Sequence, residues 1–497
     1  MNIQKVSSHI VIAVSLLSLS FGSMATEVTS DQYQVQSSKA HEVLIINNGL
    51  AALEKRLEMI ESAKKTINVE YFIYHTDTSA KLFTQALVKK AKEGVHVRML
   101  LDTFMVIGDL TPFHAFELEK AGIEIKYFNK AGILNFKSNQ YRNHRKLLSI
   151  DGKEALTGGR NIGDEYFDLS HEYNFLDRDI YLKGEIVKSI EITFDQFFNA
   201  DVSARRERPK KPDRRSYSDF AIHGQMPTNP TSNYKRDLKK WDEKVKAAEE
   251  FVSIAVSDKK QIRESGRINL DSEKGGVCTK LSFMSEFPLI GRENRLHNRV
   301  IKYGILDRIR NAKKSILMES PYFIINKELA DALDVALTQK NKVDVRLLTN
   351  SLNSTDATYV YAIFDSTIQE WIDKGFEPYI FKADRSEDYK IIESKSSEAR
   401  FGIHSKTFVF DDKDFIIGTY NVDPRSANYN AEMIIACDGN KDLAQIVSDG
   451  IESRIQGSFH LSSAEDVKKL EFYNTSFKKR LAYYLQKIPS NLFSFLF

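Results

Sequence analysis

Cysteine is nearly absent from this chain: Cys278 and Cys437 are the only two. Their spacing is not that of metal ligands. They could pair or stay free, and the expectation is that both are small buried hydrophobes. Carboxylates, histidines and cysteines nowhere cluster at metal-ligand spacing, so the chemistry is expected to run without a metal ion or any other cofactor. Excess charge is absent too. Lysine and arginine number 71 against 68 acidic residues, a net charge of +3, which argues against a protein devoted to coating nucleic acid. Beyond the N-terminal region no stretch is apolar enough to span a bilayer, and that region has no cysteine to carry a lipid.

The N-terminal region reads as an export signal. Lys5 supplies a short positive region, Ile10 to Leu19 is an apolar run interrupted only by serines, and Ser23-Met24-Ala25 resembles a small-x-small cleavage site. The expectation is a signal peptide over residues 1–25, with an uncleaved anchor as the alternative. The protein would then be periplasmic or secreted and peripheral on a membrane. The remaining length is enough for two or three domains, each with its own core.

One stretch occurs twice. His144, Lys146 and Asp151 form an H-x-K-x-x-x-x-D pattern, and His404, Lys406 and Asp411 repeat it. An asparagine follows each histidine by 17 residues: Asn161 after Gly158-Gly159-Arg160, and Asn421 after Gly418-Thr419-Tyr420. A single such match arises by chance in roughly one chain of this size in twenty, so the weight rests on the repetition. The residues between histidine and aspartate are apolar and β-prone, which predicts a strand. Residues i and i+2 share a face of a strand, so each histidine points the same way as its lysine. Asp151 and Asp411 have the opposite parity and sit beside turn signals, so they should brace the site and not touch substrate. A returning strand (Ala155 to Thr157; Phe415 to Ile417) would bring each asparagine to the same end. Two copies facing each other make one symmetric site for an anionic group.

A wider repeat surrounds the motif. Leu53 to Ala63 has helical periodicity, residues 64–73 read as a buried strand, Ala80 to Glu93 as a helix stopped by Gly94, and Val95 to Leu101 as a second strand. The β-α-β order predicts a parallel pair. The order returns with a helix over Leu306 to Ala312 and strands at 313–319 and 343–348. The offsets are 249, 248 and 260 residues at the first strand, the second strand and the motif. Two halves are thus expected to be duplicates. Glu70 and Glu319 hold equivalent places and could stand behind the site or pair with a nearby Lys or Arg.

The paired motif resembles the signature of the phospholipase D superfamily. The runs Thr157 to Phe167 and Asn421 to Ser426 resemble bacterial cardiolipin synthases, especially the C-type branch. The resemblance covers roughly residues 43 to 455. It implies an α/β fold: two duplicated phospholipase D-like domains related by a pseudo-twofold axis, each a mixed sheet flanked by helices, with one shared active site. The expected divisions are a signal peptide (1–25), an N-terminal domain (26–200), a basic linker and connecting segment (201–295), a C-terminal domain (296–460) and an amphipathic tail (461–497).

The implied reaction is transfer of a phosphatidyl group from a phospholipid to a lipid alcohol, with hydrolysis to phosphatidic acid as the alternative and nuclease activity a more distant one. One neutral histidine would attack phosphorus and become a phosphohistidine, and the other would protonate the leaving alcohol. The resemblance favours His144 as nucleophile. Lys146, Lys406, Asn161 and Asn421 would hold the non-bridging oxygens, each well-placed donor contributing about 3–4 kcal/mol at the transition state. Each imidazole should be oriented by an acceptor on its far nitrogen. Glu432, on an apolar strand pattern 11 residues after Asn421, is the candidate in the second copy. The resemblance gives Asp177 in the first copy, spacing alone would choose Glu172, and Asp179 is open. The partners implied are a phospholipid, with phosphatidylglycerol or phosphatidylethanolamine foremost, and a membrane surface. Nucleic acid is not among them, and the chain is expected to be a monomer.

Two segments lie outside the repeat. Arg205, Arg206, Arg208, Lys210, Lys211, Arg214 and Arg215 crowd together as a solvated linker or a contact with anionic headgroups. Leu238 to Val252 reads as helix and residues 265–276 as loop. After the second motif Leu443 to Ile455 reads as helix. The tail, with Leu481, Tyr483, Tyr484, Leu485, Ile488, Leu492, Phe493, Phe495, Leu496 and Phe497, could pack on its own domain or dip into a membrane interface.

Overall fold

The computed structural model describes residues 34–129, 138–214, 230–291, 299–338, 342–383, 399–470 and 473–492. The expected signal peptide, Arg215 and Phe493 to Phe497 lie outside them. Two nine-stranded mixed sheets carry the chain. The centre of the first is Ile123–Phe128, His96–Asp102, Thr66–Tyr71, Leu147–Ile150, Glu154–Gly158 and Asp179–Lys183 in that spatial order. The second repeats it with Glu377–Phe381, Asp344–Asn350, Ser315–Glu319, Thr407–Phe410, Asp414–Gly418 and Met433–Cys437. In each, the predicted β-α-β pair is parallel, and the motif strand enters antiparallel beside it.

The helices form where local chemistry favours them. Asn48 caps helix Gly49–Ser62 by accepting from the Ala51 N–H, and Asp77 caps Thr78–Lys92 by accepting from Ala80. The second ends at Gly94, whose φ of 90° suits glycine. Each half buries its own apolar core under such helices. A third core lies between the sheets, where Leu147, Leu182, Phe194 and Phe197 meet Phe283, Val409, Phe415 and Ile435. Full burial of one such side chain stabilises by about 1.5–3 kcal/mol, so the halves are joined by a continuous interior and not by a hinge.

The sheet edges hold the largest departure from the sequence reading. Strand Gln34–Ser37 leaves the first half and pairs antiparallel with Leu281–Ser285 at the edge of the second sheet. Strand Lys274–Cys278 pairs with His41–Ile46 at the edge of the first. Each half lends its opening strand to the other. The expected connecting segment therefore supplies a strand to each sheet as well as helices Pro230–Ser253 and Lys259–Leu270.

Residues 265–276 are not loop. Their glycines mark close approaches. A Cβ on Gly266 would stand 2.8 Å from the Cβ of Glu54, and one on Gly275 would stand 2.1 Å from the Val43 carbonyl oxygen. Arg263 fixes the helix by donating to both oxygens of Glu54 at 2.7 and 2.8 Å. The cysteines are also corrected: Cys278 and Cys437 form a disulfide. Reciprocal strand exchange puts Cys278 in the first sheet and Cys437 in the second, a proximity that sequence separation hides.

The basic run lies against the first half. Arg206 stacks 4.0 Å over the Tyr127 ring and donates to two carbonyls, and Arg205 pairs with Glu124 at 3.0 Å. In the tail, helix Phe477–Leu492 turns Tyr483 inward, where its hydroxyl donates to Asp365 at 2.6 Å. Its other face leaves Phe477, Leu481, Tyr484, Leu485 and Ile488 exposed. The inner face packs on its own domain, as one of the two readings of the tail expected.

Candidate active site

Both motif histidines precede their strands in extended stretches stitched to the opposite half. The His144 N–H donates to the Ala431 carbonyl at 2.9 Å, and the Ala431 N–H to the Arg142 carbonyl at 2.8 Å. In the second half, strand Arg400–Ile403 pairs in parallel with Tyr173–Leu176, and the His404 N–H donates to the Leu176 carbonyl at 2.8 Å. The residue after Ala431 is Glu432 and the one after Leu176 is Asp177. Backbone pairing thus delivers each acid to the other half's histidine.

His144 Nδ1 lies 2.8 and 3.0 Å from the Glu432 oxygens, and His404 Nδ1 lies 2.6 Å from Asp177. The sequence reading chose the right acids but gave each to its own copy; the structure crosses them. The two alternatives that the sequence left open for the first copy lie elsewhere. Glu172 is exposed, and Asp179 is buried against Arg56 at 2.8 Å and Arg160 at 3.2 Å.

Acceptors at Nδ1 place the proton there and leave the Nε2 lone pair free for the site. Burial, reinforced by Lys146 and Lys406, lowers His144 to about 4 against the opposing pull of Glu432. Burial and the same two lysines lower His404 to about 3. Both imidazoles are therefore neutral in the empty protein at pH 7. Burial alone would raise the two acids, but His144 with Lys146 and the Thr419 hydroxyl outweighs it at Glu432, and His404 with Lys406 outweighs it at Asp177. Both carboxylates stay ionised.

Each lysine turns back on its own motif. Lys146 Nζ donates to the His144 carbonyl at 2.7 Å, and Lys406 Nζ to the His404 carbonyl. Burial lowers Lys406 to about 8 and Lys146 well below its usual range, helped by repulsion from Lys406. That each lysine shifts the opposite histidine shows that the four side chains share one field.

The two asparagines are not equivalent. Asn161 Oδ1 accepts from the Ile73 N–H at 3.1 Å. Asn421 Oδ1 is buried without a hydrogen-bond partner.

Asp151 and Asp411 are outside the site. They close the motif hairpins with φ of 54° each. Asp151 accepts from the N–H groups of Lys64, Lys65 and Thr66 at 2.7–2.8 Å, and Asp411 from Lys313, Lys314 and Ser315 at 2.7–3.3 Å. They brace the neighbouring strand, as parity predicts, and do not belong among catalytic groups. Glu70 and Glu319 are buried ion-pair partners. Glu70 faces Arg145 at 3.2 Å, and Glu319 faces Arg178 at 2.6 Å and Arg454 at 2.5 Å.

Several site residues carry no motif signal. Thr419, Ser426 and Asn430 all donate to Glu432, at 2.5, 2.8 and 3.1 Å. The Phe72 ring meets His144 edge-on at 4.8 Å, while Phe175 and Tyr166 flank His404 at 4.7 and 5.3 Å. Among the described residues, no three or more His, Cys, Asp or Glu side chains are grouped to hold a metal ion.

Twinned α/β halves whose paired His-Lys motifs meet in one field define an enzyme of the phospholipase D superfamily. The family model described as cardiolipin synthase, phospholipase D-like domain, matches residues 57–198 and 305–454, and the chain belongs to that family. It is 26% identical to cardiolipin synthase C of Escherichia coli (strain K12) over 433 residues, 84% of this chain and 85% of that protein. It is 30% identical to the major cardiolipin synthase ClsA of Bacillus subtilis (strain 168) over 394 residues, 78% of this chain and 64% of the relative. The crystal structure of phosphatidylserine synthase from Haemophilus influenzae Rd KW20 has the same fold, with a TM-score of 0.60 at 13% identity, covering 92% of this chain and 95% of that one.

Proposed function

We propose that this enzyme is a phosphatidyltransferase of the cardiolipin synthase type. The observation that carries the proposal is the pair of imidazoles, each held in one tautomer by a carboxylate from the opposite half, in a family whose relatives include cardiolipin synthases. In the first step His144 Nε2 attacks phosphorus, the bond to the headgroup oxygen breaks, and His404 Nε2–H gives that oxygen its proton. In the second, neutral His404 takes the proton of an incoming lipid hydroxyl, which displaces His144 from phosphorus. Both imidazoles are neutral at pH 7, so His404 takes up a proton from solvent as the phosphodiester binds, the substrate's negative charge favouring the imidazolium. Lys146, Lys406 and the Asn421 amide hold the non-bridging oxygens.

The substrate is a phospholipid taken from a membrane surface. The outward face of helix Phe477–Leu492 supports this: Phe477, Leu481, Tyr484, Leu485 and Ile488 follow helical spacing with the exposed Lys478 and Arg480 alongside. Work outside the cytoplasm accords with the disulfide and with the N-terminal signal pattern.

The test is the product spectrum on mixed phosphatidylglycerol and phosphatidylethanolamine vesicles. Cardiolipin is expected. Water stands near ~55 M, so transfer wins only through positioning, which can supply effective molarities of order 10⁵ M. Phosphatidic acid alone at high lipid density would replace this reading with hydrolysis.

A further inference from the structure

The mechanism has no use for one carboxylate beside the site. Strands Ser315–Glu319 and Asp344–Asn350 are parallel neighbours, so the segments leaving their C-terminal ends lie side by side, where open α/β sheets bind ligands. One segment carries Tyr322 and the other Asp356. The Tyr322 hydroxyl lies 2.9 Å from each Asp356 oxygen. Asp356 is solvent-exposed, yet the protein crowded around it raises its carboxyl above the usual range. The end of the second strand reaches the active site: Asn350 donates to the Ile403 carbonyl and accepts from the Ile403 N–H, both at 2.8 Å, one residue before His404, and Tyr173, which donates to the Ser354 carbonyl, meets Phe175 at 5.0 Å, which in turn lies 4.7 Å from the His404 ring.

The segment bearing Asp356 is built to stay in place. The Ser351 and Ser354 hydroxyls each accept the other residue's N–H, at 2.8 and 3.1 Å. Tyr173 of the first half donates to the Ser354 carbonyl at 2.5 Å. Lys479 of the tail helix donates to the carbonyls of Asn353 and Thr355 at 2.7 and 2.5 Å. Three parts of the molecule therefore hold this one turn.

A fixed carboxylate next to a phosphodiester site opposes the anion it must admit. That cost is recovered only if the substrate carries something the carboxylate binds. An ionised carboxylate has about four acceptor positions, and one tyrosine hydroxyl fills at most one at a time. We propose that Asp356, held by Tyr322, is the subsite for the polar end of a phospholipid headgroup bearing donor protons, the free hydroxyls of a glycerol headgroup or the ammonium of an ethanolamine headgroup. This rests on the phosphatidyltransferase reading and names which headgroups that site selects.

The experiment compares wild type, D356N and Y322F on vesicles of phosphatidylglycerol, phosphatidylethanolamine or phosphatidylcholine, with bis(p-nitrophenyl) phosphate as a headgroup-free substrate. Choline has no donor proton. D356N is expected to lose about 10- to 100-fold in kcat/KM on the first two lipids, chiefly through KM, the size of a lost charge-assisted hydrogen bond. Phosphatidylcholine and bis(p-nitrophenyl) phosphate turnover should stay unchanged or rise as the repulsion goes, which also shows that the variant is folded. Y322F should show the same pattern more weakly. A larger loss on phosphatidylethanolamine identifies the ammonium as the ligand, and a larger loss on phosphatidylglycerol identifies the hydroxyls. Equal losses on all four substrates, or no loss on any, overturn the subsite. If wild type cleaves the nitrophenyl ester but no phospholipid, the phosphatidyltransferase reading fails and the subsite with it.

Discussion

The two halves carry the same motif in different settings. Around His144 the supporting acid, Glu432, is saturated by Thr419, Ser426 and Asn430. Around His404 the acid is the shorter Asp177, and Lys406 Nζ comes within 3.1 Å of the same imidazole nitrogen. Asn161 is tied to the backbone of Ile73, whereas the Asn421 oxygen has no partner. Duplication supplied two equal sets of groups. Differences in what surrounds them are what the proposed division of roles, His144 as nucleophile and His404 as acid and base, rests on, since roles follow environment more than residue type.

The largest effect should come from removing either histidine. H144A and H404A are each expected to lower phospholipid turnover by about 10⁴-fold or more. The comparison breaks open with a nitrophenyl ester, whose leaving group departs without a proton. H404A should then still form a covalent phosphoenzyme on rapid acid quench and peptide mapping, with the label on His144, and H144A should form none. A label on His404 would reverse the two roles.

Next in size are the crossed acids. D177N and E432Q should each reduce kcat by about 10²–10⁴-fold, through loss of the correct tautomer. E432Q should suppress phosphoenzyme formation on the nitrophenyl ester. D177N should spare that step and slow its discharge. If E432Q spares formation and D177N abolishes it, the crossing is functionally the other way round.

A smaller effect is expected from pH. Lys406, lowered to about 8 chiefly by burial, is cationic below that value and neutral above it. Free-enzyme kcat/KM should therefore fall by up to about tenfold per unit above pH 8. In K406R the guanidinium keeps its charge, and the alkaline fall should disappear even if the overall rate is lower. A profile unchanged by K406R would remove Lys406 as its source.

The smallest effect on rate belongs to the motif aspartates. D151N and D411N should leave kcat within about twofold while lowering stability by about 0.5–1.5 kcal/mol each, the net worth of hydrogen bonds at a largely exposed turn. Thermal unfolding beside steady-state rates separates this from a catalytic role.

The sequence made the halves legible because the repeat preserves residue types at fixed strand parity. His144, Lys146, His404 and Lys406 could be placed on shared faces from period alone, and Asp151 and Asp411 could be set apart by the same period. The crossing of Asp177 and Glu432 could not be read. It depends on Ala431 pairing with the His144 stretch and on strand Tyr173–Leu176 pairing with Arg400–Ile403, contacts between residues more than 200 positions apart. The exchanged edge strands and the disulfide were hidden for the same reason. Gly266 and Gly275 misled because a glycine demanded by close packing looks, in one dimension, like a glycine demanded by a turn. Asp356 was invisible because no pattern leads to a lone acid in a turn.

The reciprocal loan of edge strands also has a meaning in time. A ribosome makes residues 34–37 early, yet their place is beside residues 281–285, so this strand waits for a partner made much later. His144 waits longer still, until Glu432 exists to hold it. Contacts of such sequence span form late. An unfinished or truncated chain therefore carries the first motif complete in sequence but without the acid that sets its tautomer. The shared site is complete only once the whole polypeptide has closed on itself.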